Sequence, residues 1–492
     1  MTLTIVLQFA VVLAAIWMGA RYSGVGLGLW GAVGLLVLVV VFNVNPTSPP
    51  IDVMLIILAV IMAASVMDAA GGIDYLVRIA ERIIRANPKY VTIVAPLTTW
   101  AFTFVAGTGH IVYPLLPVIY ETAHGSGIRP ERPMAIATIA SQQAITASPV
   151  AAATAAMIGL FTEKGLAQWG LPEIMMVCVP ATLTGVIVAA VVSMFLGKDL
   201  KDDPEYQARL KAGLIPAPKH AVEAAAVAAP VPAEAPARMR MSAPGVGTID
   251  VALPRATGSG PSGVPAPAAA AAPAREPLKA SAKPAATIFL VGVALVVLFG
   301  FFPGLRTLPG AKSALGMPIV IEIVMMAVAA IMLLATKVKV DDVPKTPTLR
   351  AGVVAVIGIF GLAWLSDSFI AANKDVIVPA IGDLAKAAPW TFAFGLFFAS
   401  VLLYSQAATT RALMPLGMAL GIPPQFLIAM FPSVNGYFFI PTYGSLIAAI
   451  NFDLSGTTKI GKYVLNHSFM IPGIVATAVA VITGLGIARV LF

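Results

Sequence analysis

The chain has 492 residues, of which 59% are hydrophobic and only 11% are charged, and its formal net charge is +8 at pH 7. Apolar runs long enough to cross a bilayer recur along it, which predicts a polytopic membrane protein with the lipid bilayer as its surroundings. Lysine and arginine cluster in short loops and one linker, which argues against nucleic-acid binding. A single cysteine, Cys178, excludes an internal disulfide and a cysteine metal cluster, and we expect no cofactor.

The first apolar block covers residues 1–197. Its predicted spans lie near residues 3–20, 24–42, 51–70, 133–162 and 171–197. A basic loop, residues 78–89, follows the third span, and the positive-inside rule places that loop in the cytoplasm. The N-terminus is then periplasmic.

Two short apolar arms, residues 90–106 and 107–123, lie between the third and fourth spans and meet at a Gly-Thr-Gly sequence. Because basic loops flank both arms, they predict a re-entrant hairpin with a polar tip at membrane depth. Irregular backbone is tolerated there only when it is buried in protein or lines a cavity. Pro149 predicts a break in the following span, since proline removes a backbone donor and clashes with the preceding turn.

Residues 198–285 form a linker rich in alanine, proline and charge. Such a composition buries too little apolar surface to become ordered, so the linker is predicted to be mostly disordered and cytoplasmic. Its start, residues 199–211, has room for a short polar helix.

The second block, residues 286–492, repeats this plan. Its predicted spans lie near residues 286–303, 318–336, 349–372, 423–450 and 468–491. A second hairpin has arms 390–404 and 412–421 around a polar stretch, and two breaks, at 435–436 and 441–444, interrupt the fourth span.

The first block runs from outside to inside and the second from inside to outside, which leaves the C-terminus periplasmic. This order predicts an all-α polytopic membrane protein made of two inverted-topology repeats, each with about five spanning helices and one re-entrant hairpin. That architecture is typical of secondary transporters, whose substrates bind at the repeat interface near the midplane.

The two hairpin tips and the two helix breaks predict one anion site, because helix N-termini attract anions. The residues expected to contact the substrate are Gly107, Thr108, Gly109, His110, Thr146, Ser148, Ser405, Gln406, Thr409, Thr410, Arg411, Asn435 and Thr442. His110 could bind substrate, carry a proton or be structural.

Arg411 has two interpretations. It could bind a substrate carboxylate bidentately, or it could form an internal salt bridge with Asp367. Asp367 is itself a candidate coupling-ion ligand or counter-charge, or a residue at an interfacial helix end. The sequence has no catalytic motif, so an intramembrane enzyme is the less favoured class.

Five segments of the chain are long and distinctive: GGIDYLVRIAERIIRANPKYVTIVAP at 71–96, FVAGTGHI at 104–111, QAITASPVAAA at 143–153, LLYSQAATTRALMP at 402–415 and GTTKIGKYVLNHSFMIPG at 456–473. They resemble the anaerobic C4-dicarboxylate transporter family called Dcu, in its DcuA/DcuB branch, within the ion-transporter superfamily. The resemblance covers both membrane blocks.

This resemblance implies a bacterial inner-membrane carrier for fumarate, succinate, malate and aspartate, often exchanging fumarate for succinate in anaerobic respiration. It also implies a homodimer and an elevator mechanism, in which a hairpin-bearing transport domain moves against a scaffold. Some members partner a sensor kinase, which makes such a kinase a candidate partner.

An unpaired Arg411 would oppose movement of the empty carrier and so favour antiport. The alternative is dicarboxylate uptake coupled to protons or sodium, with Asp367 or His110 involved.

Overall fold

The structure, a computed structural model, describes residues 2–22, 24–215, 277–311, 313–403, 405–461 and 465–492, without the side chains of 2, 20 and 378–387. Within these ranges the regular structure is helical, and the only β-type pairing is an isolated bridge between Ile460 and His467. Most of the predicted linker, residues 216–276, lies outside the described residues.

The first block contains α1 (Thr2–Tyr22), α2 (Gly26–Phe42), α3 (Ile51–Ala69), α4 (Gly72–Ala86), α5 (Val91–Ala106), α6 (Val112–Gly125), α7 (Glu131–Gln143), α8 (Ala152–Glu163), α9 (Leu171–Ser193) and α10 (Pro204–Lys211). The second block contains α11 (Ala282–Phe301), α12 (Met317–Thr336), α13 (Pro347–Gly358), α14 (Trp364–Ala387), α15 (Phe392–Leu403), α16 (Gln406–Ala419), α17 (Pro424–Met430), α18 (Gly444–Phe452) and α19 (Met470–Leu491). A π-helical turn, Ile359–Ala363, joins α13 to α14.

Six helical segments of the described chain are long and apolar enough to cross a membrane. They are α3, α9, α11, α12, the joined α13–α14 stretch from Pro347 to Ile377, and α19. Shorter apolar helices include most of α1, all of α2 and α8, and the second hairpin's first arm. The all-α polytopic prediction is therefore confirmed, whereas the inverted orientation of the two blocks stays a prediction.

One predicted loop is a helix. The basic segment after α3 belongs to α4, which buries Leu76, Val77, Ala80 and Ile84 on one side. These positions recur every three or four residues, so the helix is amphipathic and presents its basic residues to the opposite side. The prediction of a loop is wrong for residues 78–86, because the apolar periodicity of this basic segment favours an amphipathic helix.

Both hairpins are present, but the second differs from its prediction. Its second arm starts at Gln406 and not at 412, so the polar stretch forms the first turns of α16. Ser405 caps this helix by accepting a hydrogen bond from the Ala408 amide at 3.2 Å. The Thr409 hydroxyl bonds the Ser405 carbonyl at 2.8 Å. The cap and the hydroxyl bonded to its own helix satisfy these polar groups locally, so the polar stretch can be helical.

Both spans with predicted breaks are interrupted. The first break separates α7 from α8 by a 3₁₀ turn, Ala144–Thr146, and a non-helical segment that includes Pro149. The second follows α17, where a 3₁₀ segment, Phe431–Phe438, contains non-helical backbone at Asn435. The predicted interruptions at 435–436 and 441–444 form one break, because the backbone stays non-helical over 439–443 until α18 begins at Gly444. Each break places backbone polar groups beside a hairpin tip.

The start of the linker is an ordered element docked on the protein. The predicted short helix is α10, and Asp203 caps it while forming a 2.5 Å ion pair with Arg129. The Tyr206 hydroxyl lies 2.9 Å from His124 Nε2, at the end of the first hairpin. Arg209 donates to the Ser455 carbonyl at 3.1 Å in the second block. The first part of the linker is therefore fixed to both blocks at the base of the first hairpin.

Candidate functional site

A cavity of about 610 Å³ lies between the two hairpin tips. Its polar or backbone-exposing lining comes from both hairpin tips with the starts of α6 and α16, the end of α7, the first turn of α8, the first turn of α13 with the segment before it, and the residue before α18. These residues are Gly107, Thr108, Gly109, His110, Tyr113, Gln142, Ala152, Ala153, Lys345, Arg350, Ser405, Gln406, Ala407, Ala408 and Tyr443. Six of the residues predicted to bind substrate thus share one cavity: Gly107, Thr108, Gly109, His110, Ser405 and Gln406.

The first hairpin tip is folded tightly against the first helix break. Gly107 ends α5 with a φ of +70°, and a Cβ there would lie 2.5 Å from the Val150 carbonyl oxygen. Thr108 accepts a hydrogen bond from the His110 amide at 3.3 Å, which starts the turn leading into α6. A Cβ on Gly109 would lie 2.3 Å from Gln142 Nε2. Glycine at these two positions therefore permits a contact that another residue would block.

The second tip is joined to both breaks by side-chain amides. Gln406 Nε2 donates to Asn435 Oδ1 at 2.7 Å and lies 3.3 Å from Gln142 Oε1. Asn435 Nδ2 reaches Gln143 Oε1 at 3.3 Å, and Gln143 donates to Thr477 at 2.7 Å. Gln142 consequently touches both tips.

Sequence reasoning missed Gln142, Gln143, Tyr113 and Tyr443 as members of this site. A signal was present for the glutamines. Two adjacent amides in an otherwise apolar span need hydrogen-bond partners, because an unpaired polar group in an apolar environment is costly.

The ionisable side chains that line the cavity are basic or neutral. Lys345 and Arg350 are exposed at its entrance, and none of the described lining residues is Asp or Glu. Lys345 pairs with Asp342 at 2.9 Å, outside the lining, whereas the guanidinium of Arg350 has no hydrogen bond or ion pair to another described residue. In the sequence, these two cations indicate only the orientation of their loop. Their position at the entrance was not predicted.

Arg411 does not line the cavity. Its fully buried guanidinium donates from Nη1 to Glu163 Oε2 at 2.9 Å and from Nη2 to Asp367 Oδ2 at 3.4 Å. The structure therefore has the internal salt bridge of the second interpretation, with Glu163 as an added partner. The premise of an unpaired arginine is wrong, because an arginine buried at this depth is stabilised by carboxylates.

The remaining predicted residues lie behind the cavity surface. Three hydroxyls bond nearby backbone carbonyls: Thr146 to Gln143 at 3.0 Å, Thr409 to Ser405 at 2.8 Å and Thr410 to Gln406 at 2.7 Å. Ser148 accepts a hydrogen bond from the Val150 amide within the first break. Asn435 acts through Gln406, and Thr442 is exposed but does not line the cavity.

The helices and the cavity together define a polytopic membrane protein with a solute-sized cavity between two hairpin tips, lined by both polar and apolar groups. A profile of the family described as anaerobic C4-dicarboxylate membrane transporters matches residues 4–492. The chain belongs to this family, so the predicted family membership is confirmed. Since the family consists of membrane transporters, the protein is a transporter and not an enzyme.

Individual relatives match over nearly their whole length. The C4-dicarboxylate transporter DcuA of Escherichia coli (strain K12) is 38% identical over 481 residues, covering 98% of each chain. The anaerobic C4-dicarboxylate transporter DcuB of Escherichia coli O157:H7 is 35% identical, covering 97% of each chain. The DcuA protein of Wolinella succinogenes is 35% identical over 487 residues, covering 99% of this chain and all of its own.

Proposed function

We propose that the protein is a secondary transporter of C4-dicarboxylates, and that the cavity between the hairpin tips is its substrate site. The substrates are fumarate, succinate, malate and aspartate, carried by antiport such as fumarate/succinate exchange. The relatives, which are named as C4-dicarboxylate transporters, support this substrate class.

The cavity itself supports an anionic substrate, and this is the observation that carries the proposal. The helix N-termini that lead into α6, α8 and α16 all contribute lining residues, and the described lining contains no acidic side chain. The first N–H groups of a helix have no intrahelical partner and carry the positive end of its dipole. Such ends stabilise two carboxylates without a buried cation that would trap them.

Its size and its entrance fit the same role. Small-molecule sites span about 300–1,000 Å³, and this cavity falls within that range. Arg350 and Lys345 at the entrance raise the local concentration of dianions by electrostatic attraction.

Transport would proceed by alternating access. The exposed lining residues Gly24, Lys345 and Arg350 mark the entrance, on the side where Lys279 and Ser281 bond the end of α3. That side is cytoplasmic in the proposed topology, which puts both termini in the periplasm of an inner-membrane protein.

In an elevator mechanism the hairpins and broken helices would move together as one rigid body in each subunit of a homodimer, and would carry the cavity across the membrane. A sensor kinase is a candidate partner for the cytoplasmic side.

Counterflow in proteoliposomes tests the substrate and the mode together. We expect labelled fumarate to enter vesicles that contain succinate, and to enter empty vesicles poorly. Uptake into empty vesicles driven by a proton or sodium gradient would replace antiport with the coupled mechanism. Absence of counterflow for every four-carbon dicarboxylate in a panel would reject the substrate class.

A further inference from the structure

Three ionisable side chains form a cluster apart from the cavity, and two of them are buried. Arg411 lies on α16, Glu163 at the end of α8 and Asp367 on α14, and none of them lines the cavity. The side chain of Arg411 is 1% exposed, that of Asp367 is 7% exposed and that of Glu163 is 26% exposed. If both acids are ionised, the cluster holds two negative charges against one positive charge.

The two acids are not equivalent partners of the arginine. Glu163 is 2.9 Å from the guanidinium and partly reaches solvent, whereas Asp367 is 3.4 Å away and almost fully buried. Asp367 Oδ1 is buried and has no hydrogen-bond partner among the described residues. An ionised carboxylate with an unpartnered buried oxygen is strongly disfavoured, whereas a protonated carboxyl is neutral.

No other buried cation compensates Asp367 in the described part of the chain. Lys164 acts on it from a solvent-exposed position, where water and salt screen its charge. α2 packs against α14 and has no ionisable side chain. α1 places Gln8 against Asn373 and carries its charge at its other end, on Arg21.

We propose that Asp367 binds a proton in this conformation. The carboxylate gains H⁺ and becomes a neutral acid, so Arg411 and Glu163 remain as a balanced ion pair. A metal cation is a poorer occupant because hard cations take several oxygen ligands, and only one buried oxygen here lacks a partner.

This proton site has a mechanical consequence, which rests on the proposed transport function. The contact between Arg411 and Asp367 joins the second hairpin to a helix outside it. When the hairpin moves away, Asp367 meets water and releases its proton. Proton binding would then favour the conformation described here.

Infrared spectroscopy of the full-length protein in lipid vesicles tests protonation without any transport assay. At neutral pH we expect a C=O stretching band of a protonated carboxyl that shifts in D₂O and is lost in Asp367→Asn. Asp68→Asn is the matched control. Asp68 is a half-buried acid that accepts a 2.6 Å hydrogen bond from Thr348, so this variant should keep the band.

A second variant keeps the proposal falsifiable if Asp367→Asn misfolds. Glu163→Gln leaves Asp367 as the only counter-ion of Arg411, so Asp367 should ionise and the band should disappear although Asp367 is intact. A band unchanged in Glu163→Gln, or no band that depends on Asp367, would overturn the proposal. So would a thermal transition that shifts when choline replaces sodium in the wild type but not in Asp367→Asn, because that result assigns a cation. Loss of dicarboxylate counterflow with the band present would reject the proposed function and leave the proton site standing.

Discussion

Gln406 donates a 2.7 Å hydrogen bond to Asn435, and this bond ties the second hairpin tip to the second helix break. The same amide also lies 3.3 Å from Gln142 of the first block. A cavity residue of one block is thereby positioned by both blocks. This arrangement makes Gln406 the side chain through which a change at either break reaches the proposed substrate site.

Gln406→Ala should weaken dicarboxylate transport by about tenfold or more, because a buried polar partner left unsatisfied costs about 1–3 kcal/mol. The measurement is the half-saturating concentration in counterflow, corrected for the amount of inserted protein. Thr410→Val is the control, since the Thr410 hydroxyl bonds its own helix and does not line the cavity. Equal losses in both variants would argue against a site at the hairpin tips.

Gly107→Ala should abolish transport and lower the thermal stability of the detergent-solubilised protein. A left-handed residue with a Cβ is disfavoured by about 1–2 kcal/mol, and this Cβ would also press on the Val150 carbonyl. Gly395→Ala is the matched control in α15, because nothing lies within 4 Å of its added Cβ. If Gly107→Ala unfolds at the wild-type temperature, the tight packing of the first tip is not needed for stability.

Arg350→Gln should raise the half-saturating substrate concentration about fivefold with little change in maximal rate, since one charge near a protein surface contributes on the order of 1 kcal/mol. The dependence of uptake on ionic strength should weaken as well. Lys339→Gln, which removes an exposed loop charge outside the cavity lining, should change neither quantity. A similar effect from both variants would point to general surface charge.

Arg411→Ala should destabilise the protein by about 3–5 kcal/mol, because it leaves Glu163 and Asp367 without their buried cation. The triple variant Arg411→Met, Glu163→Gln, Asp367→Asn removes the ion pair together with the Asp367 carboxyl and should recover the thermal transition. Transport by the triple variant would exclude Arg411 as a substrate ligand. A stable triple variant without transport would favour the carboxylate contact predicted from the sequence, in another conformation.

Asp203 gives a pH dependence outside the membrane. Burial alone would raise its pKa, but hydrogen bonds from Arg129 and from the Tyr206 amide lower the pKa below its ordinary value of 3.8. A lowered folded-state pKa stabilises docking at pH above that ordinary value, and this stabilisation is lost as the pH falls through the folded-state pKa.

Protease protection of residues 199–215 should therefore be constant from neutral pH to about pH 4 and decline below it. Asp203→Asn should remove protection at neutral pH, whereas Asp202→Asn, an exposed neighbour, should keep it. Protection that is already lost at mildly acidic pH would mean that a histidine, and not Asp203, controls docking.

The sequence alone determined the helical class, the order of spans, hairpins and breaks, and the family. Apolar runs of spanning length can be satisfied only by helices in lipid. Gly-Thr-Gly and Pro149 mark irregular backbone. Glycine allows backbone conformations that other residues avoid, and proline fixes φ and lacks the N–H that a helix needs. Two local predictions failed. The segment predicted as a loop after α3 is the amphipathic helix α4, and the second arm of the second hairpin starts at Gln406 because Ser405 caps it.

Only the tertiary structure decided which polar residues meet. Arg411 and Glu163 are 248 positions apart, and no local pattern relates an arginine of one block to the last helical residue of α8. Gln142 and Gln406 likewise come together only because the breaks and tips pack against each other. Long-range pairing depends on how helices are arranged, which side-chain periodicity does not encode. The sequence therefore predicted the two tips. The packing decided that the amides of Gln142 and Gln406 line the cavity, whereas Arg411 pairs with two acids.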